Sequence, residues 1–258
     1  MFKNLIYFDS VKVAEYLAVL EGKKQVAFKN VKMKSDKSLD AKIPILSGKY
    51  SGSNEFEGEI VDNLILDCNE FEDVLKKKNH DNYFDFLEGE VQYDFETIPR
   101  TSIVRFEGKF NIPEEFDMMD LINQFKPMLS SSMNLKNPQE EELFKTLFQK
   151  ESTKIPAFFE SENLTSRTGF SKLNSNNLFY EMEQIEDYEN EDVTIIAKVL
   201  SKKNVINSEP IVVFDIMKDL LSLNRALRRQ FGGDSIEGVK NIEANEDLIY
   251  FEVLAIYQ

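Results

Sequence analysis

The stretch 248-LIYFEVLAIY-257, close to the carboxyl end of the chain, decides the fold, because it is apolar on both faces apart from Glu252. A strand that alternates between apolar and polar residues keeps one face in water, whereas a strand that is apolar on both faces is covered on both. The stretch therefore predicts a central strand. Working outward, apolar runs and alternation predict further strands at 4–8, 25–34, 90–98, 102–110, 155–159, 178–185 and 193–200. The strands at 90–98 and 102–110 are expected to form a hairpin through Pro99 and Arg100.

Apolar residues also recur with the period of 3.6 residues that is typical of an amphipathic helix. Local signals mark the ends of these segments, such as Asp9 as a side-chain cap before the first helix and Gly22 as its stop. The period predicts helices at 10–21, 56–75, 117–125, 138–148 and 215–230. The predicted fold class is α+β, with mixed or antiparallel sheets packed against amphipathic helices.

A connector rich in serine and asparagine, at 128–136, is the best internal boundary in the chain. It divides the chain into an amino-terminal α+β half, 1–128, and a carboxyl-terminal α+β half, 129–258. Two short strings recur in the same order in both halves: Lys-Ile-Pro at 42–44 and 154–156, and Phe-Asp-x-Met at 116–119 and 214–217. Two explanations stay open, an internal duplication or the chance recurrence of short strings in a chain rich in Phe, Ile and Lys.

The side chains that many enzymes use for catalysis are scarce, since the chain has one histidine and one cysteine among 258 residues. Few side chains are therefore available for catalysis by imidazole or thiolate, or for metal sites built from those ligands. The glycine-rich phosphate loops, the nucleophile elbow, the zinc-protease motif and the calcium-loop pattern are also missing from the sequence. We therefore expect no cofactor and no metal ion, and an enzyme is the less favoured interpretation.

The chain carries 46 acidic and 31 basic residues, which gives a formal net charge of −15. Such a surface repels phosphate backbones and anionic lipid headgroups, so neither nucleic acid nor a membrane is expected as a partner. The start of the chain has no basic and apolar leader, no apolar run reaches the roughly 18 residues of a membrane span, and a single cysteine forms no internal disulfide. These features predict a cytoplasmic protein.

The single histidine and the single cysteine each have a structural interpretation. His80 lies in the polar stretch Asn79-His80-Asp81-Asn82. A catalytic histidine needs an orienting partner across space, which a neighbour in sequence does not supply, so we expect a solvated loop residue. Cys68 falls on the apolar face of the predicted helix 56–75 and is expected to be a buried, unreactive thiol.

The sharpest local signal is a basic ridge on the predicted helix 215–230, formed by Lys218, Arg225, Arg228 and Arg229. Arg225 and Arg229 lie one helical turn apart and opposite the apolar stripe, so their guanidinium groups can grip one phosphate or carboxylate together. This arginine ridge is the candidate contact for an anionic ligand or an acidic partner surface. The alternative is that cations in a last helical turn stabilise the helix dipole and solvate its outer face.

Both ends of the chain carry recognisable strings. The opening Ile6-Tyr7-Phe8-Asp9, with its helix to Leu20-Glu21-Gly22, and the closing Val253-Leu254-Ala255-Ile256-Tyr257 resemble a family of uncharacterised bacterial cytoplasmic proteins known as a domain of unknown function. The resemblance implies no established activity, although some members are suspected of roles in phage defence. It assigns no functional residue.

Together these observations favour a non-enzymatic interaction or sensor protein that binds a protein partner or an anionic ligand, as an accessory component of a bacterial defence or stress system. The alternative is a hydrolase or nuclease that uses a metal ion and carboxylates brought together by the fold. A pocket that gathers three or more carboxylates at ligand distance would favour the alternative.

Overall fold

Nine strands and three α-helices make up the described part of the chain. The computed structural model describes residues 3–22, 64–77, 81–88, 93–114, 116, 154–164, 166–215, 219 and 241–258. The strands are β1 Leu5–Phe8, β2 Tyr83–Asp85, β3 Ile103–Asn111, β4 Lys154–Glu160, β5 Thr168–Asn174, β6 Val193–Lys203, β7 Ile211–Phe214, β8 Ile242–Ala244 and β9 Leu248–Tyr257. The helices are α1 Ser10–Glu21, α2 Leu64–Lys77 and α3 Met182–Ile185, and short 3₁₀ helices occupy Glu162–Leu164, Ser175–Asn177 and Glu186–Tyr188.

β9 is the central strand, as the sequence predicts. One of its edges pairs with β6 along its length, and the other pairs with β5 at 248–250 and with β1 at 255–257. All residues of β9 except Tyr250 and Glu252 are buried. The two apolar faces of this strand are therefore both covered, as its sequence requires.

Five of the strands close into a barrel. β3 pairs with β6 at 103–108 and with β4 at 109–111, while β4 pairs with β5 and β5 with β9. Because β6 also pairs with β9, the circuit β3-β4-β5-β9-β6 returns to β3. β5 and β9 run parallel and the other four pairs are antiparallel. This order and these directions are those of the five-stranded Greek-key barrel known as the OB fold.

Aromatic rings fill the interior of the barrel. The ring of Phe251 on β9 lies 5.5 Å from that of Phe106 on β3 and 6.4 Å from that of Phe159 on β4, between ring centroids. Gly169 on β5 leaves the space for them, because a Cβ there would lie 2.7 Å from the Phe251 ring and 2.9 Å from the Phe159 Cβ. The interior is therefore close-packed, and its shape depends on a glycine.

α1 and α2 cover the outer face of β1, β6 and β9. α1 begins where the Asp9 side chain accepts a hydrogen bond from the Lys12 amide at 3.0 Å, and it ends at Gly22 with φ of 68°. Both ends agree with the sequence prediction. The inward residues of the two helices form a second apolar cluster with the strands, comprising Leu5, Phe8, Val13, Cys68, Phe71, Leu75, Ile103, Ile196, Leu254, Ala255 and Tyr257.

The structure confirms the α+β class and many of the predicted elements. The strands predicted at 4–8, 102–110, 155–159, 193–200 and 248–257 correspond to β1, β3, β4, β6 and β9. The helices predicted at 10–21 and 56–75 correspond to α1 and α2. The strand predicted at 25–34, the helices at 117–125 and 138–148 and most of the helix at 215–230 lie outside the described residues.

The predicted hairpin of 90–98 with 102–110 is wrong. Residues 95–97 form a turn, in which the Asp94 carboxylate accepts from the Glu96 amide at 2.9 Å and the Asp94 carbonyl accepts from the Thr97 amide at 3.0 Å. A local side-chain acceptor competes with strand pairing in this way. β3 instead pairs with β2 in parallel and with β4 and β6 in antiparallel fashion.

The predicted strand at 178–185 is also wrong. Leu178 makes an isolated bridge to Tyr7, and the chain then turns into α3 and a 3₁₀ helix. Charged and amide residues with good helix propensity separate the apolar positions here, so local propensity overrides the apparent alternation. The strands β2, β5, β7 and β8 were not predicted.

Strands from both sides of the predicted boundary share the large sheet. β1, β2 and β3 precede residue 128, whereas β4, β5, β6 and β9 follow it. The division into 1–128 and 129–258 stays a prediction. So does the duplication, because the strings at 42–44 and 117–119 lie outside the described residues.

Candidate functional site

The arginine ridge lies outside the described residues, as does His80. The structure does describe what flanks the ridge. β7 and β8 pair with each other, which brings the two ends of the segment 215–241 together. Asp219, which follows Lys218 in sequence, is buried, and its carboxylate accepts from the Lys172 ammonium at 2.5 Å and from the Asp215 amide at 3.0 Å. The start of this segment is therefore anchored to β5.

Cys68 is buried on the inner face of α2, as predicted. Burial raises the pKa of its thiol to about 12, and the nearby Lys3 ammonium offsets only part of that effect. The thiolate that reacts with electrophiles and oxidants is therefore scarce at neutral pH. The environment of Cys68 gives the thiol no reactive role.

A buried network of charged groups surrounds Glu72 on the inner side of α2. The Glu72 carboxylate accepts hydrogen bonds from the Lys3 ammonium and, at 2.5 Å, from the Tyr257 hydroxyl. Arg105 lies 3.9 Å from the same carboxylate and pairs with Asp85 at 3.1 Å. Burial raises the pKa of Tyr257, so its hydroxyl remains a donor. The Glu72 network thus ties α2 to the amino-terminal strand and to the barrel.

A cleft of about 610 Å³ opens where β3 meets β4. Gly108 permits this meeting, because a Cβ there would lie 2.4 Å from the Glu160 carbonyl oxygen. The Ser161 hydroxyl donates to the Glu107 carbonyl at 2.6 Å and fixes the end of β4 against β3. We call this the acidic cleft, because its charged lining consists of Lys109 and of four carboxylates, on Glu107, Glu160, Glu162 and Asp192.

The cleft carboxylates are all exposed, and none has an ion pair or a side-chain hydrogen bond among the described residues. Elsewhere in the described structure, carboxylates in the protein interior have cationic partners, such as Glu72 with Lys3 and Asp219 with Lys172. Phe86 and Leu87 add an apolar wall to the cleft. The acidic cleft therefore combines exposed negative charge with an apolar contact surface.

The metal alternative finds no assembled site in the residues that the structure describes. No group of three or more His, Cys, Asp or Glu residues there is placed to hold a metal ion. Within the same residues, no helix has the length and apolar character to cross a membrane.

A second groove, of about 340 Å³, lies over β5 and β9 where β1 enters between them. Its floor includes Phe170 and Tyr250, whose rings meet edge to face at 5.5 Å. The buried Tyr250 hydroxyl has no hydrogen-bond partner among the described groups. Lys172, which holds Asp219, lies at the rim of this groove.

Sequence reasoning missed both the acidic cleft and the Glu72 network. Alternation along β3 places Glu107 and Lys109 outward, so their exposure could have been anticipated. Their position beside Glu160 and Asp192 depends on strand pairing across more than fifty residues, which no local pattern indicates.

The comparisons with known proteins agree with the resemblance seen at the two chain ends. A family model described as "Domain of unknown function (DUF6414)" matches residues 2–257. No curated protein and no solved structure matches the chain. Because the family model covers nearly the whole sequence, the chain belongs to the family described as Domain of unknown function (DUF6414).

Proposed function

We propose that the protein is a non-enzymatic interaction protein that binds a protein partner through the acidic cleft. The observation that carries the proposal is the set of four exposed cleft carboxylates, none of which has an ion pair among the described residues. A partner that presents lysine or arginine side chains would complement them and could cover Phe86 and Leu87 at the same time. Lys218, Arg225, Arg228 and Arg229 remain our proposed contact for an anionic group on a partner or ligand, and a place in a bacterial defence or stress system remains a prediction.

The electrostatics of the cleft favour recognition of a basic surface. Four carboxylates and one ammonium give its lining a net charge of −3. A concave surface of one charge sign raises the local concentration of opposite charge and speeds association by roughly 10–1,000-fold at low salt. Exposed ion pairs each contribute only about 0.2–1 kcal/mol, so several must act together with apolar contact for useful affinity.

The barrel topology does not by itself assign a ligand. Barrels with this strand order often bind oligonucleotides, yet function depends on the side chains of the site and not on the fold. The net charge of −15 repels phosphate backbones. Binding of nucleic acid is therefore not part of the proposal.

The test measures binding of a nona-lysine peptide to the full chain by titration calorimetry at low and high salt. Neutralising two cleft residues, Glu107→Gln with Glu160→Gln, is expected to weaken binding several-fold, since each lost exposed pair contributes about 0.2–1 kcal/mol. The matched control neutralises Glu70 and Glu243, which are exposed, lie outside the cleft and have no ion pair among the described residues.

The control variant changes the net charge by the same amount and is expected to bind the peptide nearly as well as the wild-type chain. Equal weakening in both variants would mean that the peptide responds to net charge alone. That result, or absence of binding at low salt, contradicts the proposed cleft.

A further inference from the structure

An aromatic surface lies within a few residues, along the chain, of the cleft residue Asp192. It consists of Phe179, which is 44% exposed, and of the half-buried Tyr180 and Tyr188. The two tyrosine rings lie 4.9 Å apart at 37°. Asn4 holds both of them, since it accepts from the Tyr180 hydroxyl at 2.6 Å and donates to the Tyr188 hydroxyl at 3.2 Å. The two tyrosine rings are therefore held in place without a partner.

The turn that follows Tyr188 connects the aromatic surface to the acidic cleft. The Asn190 amide donates to the Phe110 carbonyl at 3.1 Å, so the turn is attached to β3. Asp192, four residues after Tyr188, lines the acidic cleft. Four residues span at most about 14 Å, whereas an extended nonapeptide spans about 30 Å, so one peptide can reach both places.

Exposed acids flank Tyr188 in sequence and have no ion pair among the described residues. They comprise Glu186, Asp187 and Glu191, and the cleft residue Asp192 follows them. Aromatic faces and carboxylates together favour a guanidinium group over an ammonium group. A guanidinium group stacks on an aromatic ring and bonds a carboxylate with two parallel N–H donors, whereas an ammonium group is a compact, strongly hydrated point charge.

We propose that the partner segment is rich in arginine and that it lies across the acidic cleft with guanidinium groups on the aromatic surface of Phe179, Tyr180 and Tyr188. This inference rests on the proposed function and names the chemistry of the partner. Shape and charge favour an extended segment because the two contact regions are separated along the turn. A lysine-rich segment would bind the same carboxylates, but its ammonium groups do not stack on a ring as a planar guanidinium does.

The test compares nona-arginine with nona-lysine on the full chain. Nona-arginine is expected to bind about two- to fivefold more tightly, because a cation–π contact at an exposed site contributes about 0.5–1 kcal/mol. The triple variant F179L/Y180L/Y188L keeps apolar bulk and removes the ring faces, so its preference for nona-arginine should fall below that of the wild-type chain, whereas an unchanged preference overturns the role of the rings. Its binding of nona-lysine, together with its circular dichroism spectrum, reports whether it is folded.

The control variant Y250L removes a half-buried ring in the groove over β5 and β9, and it should keep the preference for arginine. Equal binding of the two peptides by the wild-type chain overturns the arginine inference and leaves the acidic cleft standing. Loss of the preference in Y250L also overturns it. If neither peptide depends on Glu107 and Glu160, the proposed function itself fails.

Discussion

Glu72→Gln is expected to lower the free energy of unfolding by about 3 kcal/mol, because it leaves the Lys3 ammonium without its counter-charge in a nearly buried position. The side chains of Lys3 and Glu72 are 10% and 8% exposed. Removing one partner of a buried ion pair costs roughly 3–5 kcal/mol. The lower end of that range applies here, because Arg105 keeps Asp85 at 3.1 Å and a glutamine oxygen can still accept from the Tyr257 hydroxyl.

Urea unfolding at neutral pH, followed by circular dichroism, measures this loss. The matched control is Asp73→Asn on the outer side of α2, where Asp73 and Lys77 pair at 3.6 Å with side chains 67% and 77% exposed. An exposed pair contributes about 0.2–1 kcal/mol, so the control should lose no more than that. Adding Lys3→Met to Glu72→Gln removes the uncompensated ammonium and should recover part of the lost stability.

Two results would refute this reasoning about the Glu72 network. A loss in Glu72→Gln as small as that in Asp73→Asn would show that the buried pair contributes no more than an exposed one. A double variant less stable than Glu72→Gln alone would show that the unpaired ammonium is not the cause of the loss.

The remaining predictions concern the barrel, a half-buried carboxyl group and the arginine ridge. Gly169→Ala should destabilise the protein by about 1–3 kcal/mol in urea unfolding, because its Cβ would meet the Phe251 ring at 2.7 Å; an unchanged midpoint contradicts the close packing. Burial raises the pKa of Glu189 above its unfolded value, so its favourable contribution is present below that value, about 4.3, and is lost as the pH rises through the folded pKa. Glu189→Gln should therefore stabilise the protein at pH 7 and lose that advantage near pH 4, whereas a pH-independent effect would disagree. Changing Arg225 and Arg229 together to Glu should abolish binding of a partner or ligand that recognises the ridge while the melting temperature stays the same; retained binding would remove the ridge as a contact.

Local signals account for the elements that the sequence predicts well. α1 was predictable because Asp9 accepts from a free amide at its start and the Gly22 amide donates to free carbonyls at its end. Both residues are adjacent to the helix in sequence. β9 was predictable because its apolar character extends over both faces. In each case the information is carried by residues adjacent in sequence.

β5 shows why some strands were not predicted from the sequence. Its residues that face the barrel interior are Gly169, Ser171 and Leu173, opposite Phe159, Ala157 and Ile155 on β4. Gly169 is small because Phe159 on β4 and Phe251 on β9 fill the space in front of it, and Ser171 faces the small Ala157. Side chains of neighbouring strands therefore fill this part of the interior. The sequence TGFSKLN lacks the regular series of large apolar residues by which a strand is recognised.

The turn after Asp94 depends on a residue more than one hundred positions away. The Lys202 ammonium donates to the carbonyls of Phe95, Glu96 and Ile98 at 2.5, 2.7 and 3.1 Å. Partial burial of its ammonium lowers the pKa of Lys202. Because a distant ammonium stabilises this turn, the residues next to the turn in sequence do not indicate it. The sequence at 90–98 was therefore interpreted as a strand.

The distribution of charge separates the residues that hold the fold from those that we propose to bind a partner. Glu72, Asp85 and Asp219 are paired with lysine or arginine and lie in or near the interior, whereas the cleft carboxylates are exposed and have no ion pair within the described part of the chain. Mutual repulsion in the cleft opposes folding slightly, and a basic partner would relieve it. Glu107→Gln with Glu160→Gln should therefore leave the free energy of unfolding unchanged or raise it by a few tenths of a kcal/mol, roughly the scale of surface substitutions, while it weakens peptide binding. A clear loss of stability in this variant, measured by urea unfolding, would place the cleft carboxylates among the residues that hold the barrel together and would remove the reason to assign them to a partner.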